Sequence, residues 1–293
     1  MNILRFIKKV IKAFIPYGLL FVLRKVIHNC IRLRQRKLLR FDIHLTDHCN
    51  LNCKGCEHFS SIAGKKFLDI KKYEQDCMRL NKLTGGSIED ISLLGGEPLL
   101  HPQIIDFMVL TRKYFPSGMI RIITNGLLLE KQPDIFWEAC KENDITITIS
   151  VYPVKINYLY IKAKTDTYGI KLVFWGDPIN ESKYWRKLRI DLRGRQNPWI
   201  SNFLCYASNG CFQLVDGRLF KCWRIAYIHY FNRAFGKELT ISHRDYVDIY
   251  KENDLNKILG ILRKSAPFCR YCDMVHKIDV EWQQSKKEIA EWT

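Results

Sequence analysis

Three cysteines on one short loop constrain this chain more than anything else in it. Cys49, Cys53 and Cys56 lie in Thr46-Asp47-His48-Cys49-Asn50-Leu51-Asn52-Cys53-Lys54-Gly55-Cys56-Glu57-His58-Phe59, directly after the alternating, strand-like run from Phe41 to Leu45. Their spacing lets the three thiols turn inward together and hold three corners of a cubane iron–sulfur cluster. The fourth iron then lacks a protein thiolate. An open iron can bind a small molecule, as a catalytic rather than an electron-carrying cluster must. The competing reading is zinc, although a zinc ribbon shows paired Cys-x2-Cys knuckles with a fourth ligand near by.

From Arg40 onwards, short apolar runs alternate with segments of helical periodicity. The pattern predicts strands at 41–46, 90–94, 120–124, 145–150 and 170–175, and helices at 70–83, 102–114, 131–142 and 155–168. Such alternation implies an α/β fold, a mostly parallel sheet with helices outside. The second strand runs into Gly95-Gly96-Glu97-Pro98, where paired glycines allow close backbone approach and Pro98 directs the chain away. Taken alone this is a plain strand-to-helix turn. Thr124-Asn125-Gly126 ends the third strand and Ser150 the fourth.

The cysteine triplet after a first strand, with Gly95-Gly96-Glu97-Pro98 after a second, resembles the radical S-adenosylmethionine (SAM) superfamily. The resemblance implies a partial (β/α)6 TIM-like barrel with its chemistry at the carboxyl ends of the strands. It further implies a [4Fe-4S] cluster on Cys49, Cys53 and Cys56, whose open iron binds the amino and carboxylate groups of SAM. An electron from an external donor, such as flavodoxin or ferredoxin, cleaves the sulfonium, and the resulting 5′-deoxyadenosyl radical takes a hydrogen atom from the substrate. By the same resemblance, the backbone at Gly95, Gly96, Glu97 and Pro98 pairs with the SAM amino group, and Glu97 orients the loop. Thr124, Asn125 and Ser150 then either hydrogen-bond the ribose or carboxylate or serve as turn and cap formers. One departure stands out: many relatives carry an aromatic residue before the third cysteine, near adenine, where this chain has Gly55. His58 or Phe59 is the expected substitute.

The net charge of +17 is concentrated at one end. Residues 1–40 hold eleven Lys or Arg and no Asp or Glu, leaving +6 for the rest. Residues 3–15 place Ile3, Phe6, Ile7, Val10, Ile11 and Phe14 at helical spacing opposite Arg5, Lys8, Lys9 and Lys12, and a second basic helix is expected from Leu19 to Arg40. Two readings are open: docking on an anionic membrane surface, where each basic side chain contributes about 1 kcal/mol, or a helix pair packed on the catalytic domain with a solvated charged face. No basic and aromatic interleaving points to nucleic acid. The apolar run Ala13–Leu23 contains Pro16 and Gly18, is shorter than the roughly 20 residues a bilayer span needs, and ends without a cleavage pattern. The expected location is therefore cytoplasmic, peripheral on the inner face of the membrane under the first reading, with the eleven cysteines reduced. Cys30, Cys77 and Cys140 fall in expected helices and are assigned to packing.

Residues 176–202, with Trp185, Arg186, Arg189, Arg193, Arg195 and Trp199, read as a long loop near the barrel mouth. Arg with Trp can bind a phosphorylated or sugar-bearing substrate, and a solvated basic loop is the equal alternative. Beyond it, Phe212–Cys222 reads as a hairpin around Asp216-Gly217 that returns Cys222 towards Cys211, and Cys269-Arg270-Tyr271-Cys272 forms a knuckle. Cys205, Gly217, Cys222, Cys269 and Cys272 resemble a shortened SPASM/twitch extension, which carries an auxiliary cluster. Cys211 is a fifth candidate for four positions, and zinc remains open at this site. Residues 275–292 are expected to form a closing helix. The organisation expected is thus a basic segment 1–40, a barrel 41–200 and an auxiliary-cluster extension 201–293. Likeness to members associated with bacterial polysaccharide or cell-envelope assembly implies a sugar, nucleotide-sugar or lipid-linked glycan substrate. The alternatives are a peptide or protein maturase and a non-catalytic membrane-attached metal-binding scaffold.

Overall fold

The computed structural model describes residues 26, 37–179, 184–207 and 210–293. The basic helix expected at 3–15, most of the second one, its membrane docking and Cys30 lie outside the described residues. The chain divides into two compact units, Met1–Arg36 and Lys37–Thr293, and every strand and helix from Arg40 onwards belongs to the second.

Strand β1 (Arg40–Thr46) is buried on both faces. Phe41, Ile43 and Leu45 enter the main apolar core. Asp42, His44 and Thr46 alternate with them and are buried as well, so each has a partner: Asp42 pairs with Arg40 at 3.0 Å, His44 bonds Asp47, and Thr46 Oγ1 donates to the Glu97 carbonyl at 2.8 Å. Helix α1 (Ile70–Thr84) starts at Asp69, whose carboxylate accepts from Lys72 N, and ends at Gly85 with φ +62°. There follow β2 (Asp90–Gly95), α2 (Ile104–Tyr114), β3 (Met119–Thr124), α3 (Asp134–Glu142), β4 (Ile145–Ser150), α4 (Tyr158–Tyr168) and β5 (Leu172–Trp175). Strands β1 to β5 pair in parallel and in sequence order, with Ile43 opposite Leu93, Ile91 opposite Ile120 and Ile122 opposite Ile147. Their isoleucines and leucines pack against Tyr73, Phe107, Phe136 and Trp137 of the helices. Cys77 and Cys140 are fully buried in α1 and α3, as packing residues should be.

The chain departs from expectation in three places. Arg40 opens a strand, so no helix extends to it. The stretch read as a loop contains β6 (Tyr184–Ile190) and α5 (Pro198–Leu204). The closing helix is absent: after β7 (Gln213–Val215), β8 (Arg218–Phe220), α6 (Trp223–Phe235), β9 (Tyr246–Asp248) and α7 (Leu255–Arg263), residues Cys272–Glu281 form strand β10. Strands β6 and β10 pair antiparallel, from Cys272 opposite Ile190 to Glu281 opposite Tyr184. Apolar positions at Ile278, Trp282, Ile289 and Trp292 imitate helical spacing, but the pairing partner lies 82 to 97 residues back, where no local pattern can reveal it. Consequently β6 does not extend the parallel sheet. The position next to β1 on its other side is taken by β7, parallel to it at Asp42 and Gln213, and β8 and β9 follow antiparallel. The hairpin lies where the sequence placed it, with Asp216 and Gly217 at φ +47° and +72°.

Candidate functional site

The cysteine loop leaves the carboxyl end of β1 and is held against the ends of β2 and β3. Gly96 N donates to Thr46 O at 2.8 Å and Glu97 N to His48 O at 3.1 Å. A Cβ on Gly95 would stand 2.2 Å from Thr46 O and one on Gly96 2.0 Å from His48 O, so both glycines are demanded by the cysteine loop itself. Glu97 is fully buried and its carboxylate joins its own turn to the end of β3: Oε1 accepts from Thr124 Oγ1 at 2.7 Å and Leu99 N at 3.1 Å, and Oε2 from Asn125 N at 2.9 Å. Burial nonetheless pushes its carboxyl up to about 7. Asn125 Nδ2 in turn donates to Asn50 Oδ1 at 2.8 Å and faces Cys49 Sγ at 3.6 Å.

Cys49, Cys53 and Cys56 line one cavity of about 180 Å³, together with Gly95, Gly96, Thr124, Asn125, Ser150, Tyr152, Trp175 and His58. All the cysteines and small polar residues singled out from the first four strands thus meet there, while Glu97 and Pro98 stand behind it. Thr124 spends its hydroxyl proton on Glu97 and accepts from Gly126 N at 3.0 Å, so its first task is to brace the loop. Phe59 is not the missing aromatic cover: at φ +60° it turns into a second core, 5.9 Å from Phe231 and 6.3 Å from Trp292. Tyr152 and Trp175 are the aromatic residues on the cavity wall.

His58 belongs to a buried chain. Its Nδ1 lies 2.7 Å from His44 Nε2, and His44 Nδ1 lies 3.1 Å from Asp47 Oδ1, with Tyr230 OH donating to Asp47 Oδ2 at 2.5 Å. Burial lowers both histidines, so they are neutral. Burial would raise Asp47, but donation from His44 and Tyr230, with the electrostatic pull of His44 and of Lys66 at 3.6 Å, outweighs it and holds the carboxyl down at about 2. With Asp47 ionised, His44 carries its proton on Nδ1 and accepts on Nε2 from His58.

The residues fit a thiolate-bound cluster: three thiols line one cavity, and N–H donors point at their sulfurs, Leu51 N at 3.4 Å from Cys49 Sγ and Trp282 Nε1 at 3.1 Å from Cys53 Sγ. In the free protein burial pushes the Cys49 thiol up to about 12 and raises Cys56, so loading must release protons.

The second cysteine set gathers between α5, α6 and the knuckle. Cys222 lies within electrostatic reach of Cys272, Cys269 and Cys205, and Cys205 in reach of Cys269 and Cys272. Cys211 lies within electrostatic reach of Asp42, Arg40 and Cys205. The guanidinium of Arg224, the second residue of α6 and almost wholly buried, stands between the two sets, 3.8 Å from Cys272 Sγ and 3.8 Å from Glu57, the residue after Cys56. Tyr206 OH donates to the same carboxylate at 2.6 Å. Arg224, His44 and Trp282 carry no motif, and although Asp47 and Glu57 stand in the cysteine stretch, nothing in its spacing marks their bonds to His44, Tyr230 and Tyr206.

A parallel α/β sheet with a cysteine loop and a glycine pair at the carboxyl ends of its first strands defines a cofactor-binding half-barrel. Residues 43–157 match the family model described as Radical SAM superfamily. The matched segment is less than half of the chain, and it is similar to a superfamily of enzymes that use a [4Fe-4S] cluster and SAM. GTP 3′,8-cyclase of Alkaliphilus oremlandii (strain OhILAs) is 29% identical over 107 residues, covering 36% of this chain and 33% of that protein. The GTP 3′,8-cyclase of Chlorobaculum tepidum is 32% identical over 97 residues, 33% of this chain and 28% of that one. The chain spans about a third of the length of these relatives. The solved structure of BtrN in complex with AdoMet and 2-DOIA superposes with a TM-score of 0.51 at 17% identity, over 82% of this chain and 94% of that one, a likeness of fold.

Proposed function

We propose that this chain generates a radical from SAM at a [4Fe-4S] cluster held by Cys49, Cys53 and Cys56, and uses it on a small sugar-bearing substrate. The observation that carries the reading is the meeting of these three sulfurs, the Gly95-Gly96 turn and the ends of β3 and β4 around one cavity. Cluster and SAM together supply a 5′-deoxyadenosyl radical able to abstract a hydrogen atom. The chain's part is to bind, orient and shield. The cysteine loop leaves one cluster corner unclaimed, the Gly95-Gly96 backbone receives the amino acid part of SAM with Glu97 and Pro98 behind it, and Thr124, Asn125 and Ser150 offer polar groups to its ribose or carboxylate. Tyr152 and Trp175 wall off water.

Cys205, Cys222, Cys269 and Cys272 hold a second [4Fe-4S] cluster in this reading, with Cys211 outside it. Complete thiolate ligation suits electron transfer or structural support. A sugar, nucleotide-sugar or lipid-linked glycan is the preferred substrate class; relatives named for GTP support a nucleotide-type molecule over a peptide. A flavodoxin or ferredoxin supplies the electron. The nine basic residues of positions 1–36 dock on anionic lipid, at the inner face of the membrane. Among the described residues no helix is long and apolar enough to cross a membrane.

The test is anaerobic reconstitution followed by an assay for 5′-deoxyadenosine with dithionite, beside a Cys49/Cys53/Cys56→Ala variant. The expected result is about eight irons per chain, falling to about four in the variant with deoxyadenosine lost. Fully loaded wild type that neither binds SAM nor forms deoxyadenosine identifies a scaffold and overturns the reading.

A further inference from the structure

We propose that residues 282–292 form a strap that sets the cysteine loop, with Trp282 as a positioning residue whose indole N–H holds the Cys53 sulfur and tunes its cluster. The tuning rests on the radical SAM reading; the strap does not. Lys54 N donates to Gln283 O and Ser285 N to Asn52 O, both at 2.8 Å, making a short antiparallel bridge at Cys53 and Gln284. Gly55 N donates to Glu291 Oε2 at 3.0 Å, and Trp292 Nε1 to Cys56 O at 2.9 Å. The same Glu291 carboxylate, 4% exposed, accepts from Ser285 Oγ and Lys286 N, both at 2.6 Å, so it also fixes the bend of the strap. Residues 52, 54, 55 and 56 are thus each tied to a segment more than two hundred residues away.

This explains the departure at Gly55. With φ +62°, a Cβ there would stand 2.5 Å from Glu291 O, so the space a side chain would take before the third cysteine belongs to the strap backbone. What the strap brings in exchange is an indole. Trp282 Nε1 lies 3.1 Å from Cys53 Sγ, and its ring centroid is 6.3 Å from that of Tyr152 on the cavity wall. An N–H aimed at a ligating sulfur stabilises the more negative, reduced cluster and raises its potential, most effectively where water is scarce.

The potential is measured on the reconstituted full chain by redox titration of the EPR signal that the Cys49/Cys53/Cys56→Ala variant lacks. Trp282→Phe keeps the ring and removes the donor. The expected result is unchanged iron content with the midpoint displaced to more negative potential; an unchanged midpoint at full loading overturns the role of Trp282. The strap is read separately in metal-free protein, as the rate of tryptic cleavage after Lys286 or Lys287. Gly55→Ala and Glu291→Gln are expected to speed it several-fold, and wild-type rates in both overturn the strap. Absence of iron from wild type sinks the cluster reading and the role of Trp282, and the cleavage comparison then decides the strap alone.

Discussion

Asp47 shows how a residue beside the cysteine loop contributes to stability as well as to position. Its carboxyl is held at about 2 in the folded chain against an ordinary value of 3.8. A depressed carboxylate stabilises the fold fully above the ordinary range and loses that contribution as pH falls through the folded value. Asp47→Asn is therefore expected to lose about 2 kcal/mol at pH 7, with the deficit against wild type shrinking between pH 4 and pH 2. Urea unfolding across that range checks it; a deficit independent of pH would mean that packing, not the bonds to His44 and Tyr230, is what Asp47 supplies.

At the scale of elements, the turn of the hairpin is fastened to helix α1 by one carboxylate. Asp76 on α1, 3% exposed, accepts from Gly217 N at 2.9 Å, Tyr250 OH at 2.7 Å and Lys72 Nζ at 2.7 Å. Replacing it by Ala leaves a buried N–H without an acceptor, and the expected loss is about 2–3 kcal/mol in urea unfolding. Tyr250→Phe should lose about 1 kcal/mol, since it removes one bond and strands no backbone group. Strand β10 and the strap continue the same division: β6 fixes one end of the C-terminal segment and the cysteine loop the other.

For the whole molecule, two cysteine sets flank helix α6. Cys222 precedes its first turn, while Tyr227 stacks on His44 at 3.7 Å and Trp223 on His58 at 5.5 Å. Helix α6 therefore connects the second set to the wall of the first cavity, with Arg224 at the crossing. If Cys211 stands outside the second cluster, Cys211→Ser keeps about eight irons, whereas Cys269/Cys272→Ser drops to about four while the first cluster persists. Equal losses in both would place Cys211 among the ligands.

The sequence by itself determined the strands β1–β5, helices α1–α4 and the β7–β8 hairpin, each from a short-range signal of hydrophobic period or turn chemistry, and its resemblance to a known motif pattern marked Cys49, Cys53, Cys56, Gly95, Gly96, Thr124, Asn125 and Ser150 as candidates for one site. Only the tertiary structure decided that 184–190 and 272–281 pair as strands, that Phe59 belongs to a core, that the cysteine loop, the glycine pair and the ends of β3 and β4 share one cavity, and that Glu291 and Trp282 reach the cysteine loop. These depend on contacts between residues tens to hundreds of positions apart. A chain read locally carries the propensity of each segment but not its partner, and it is the partner that settles whether Val275–Trp292 coils or extends.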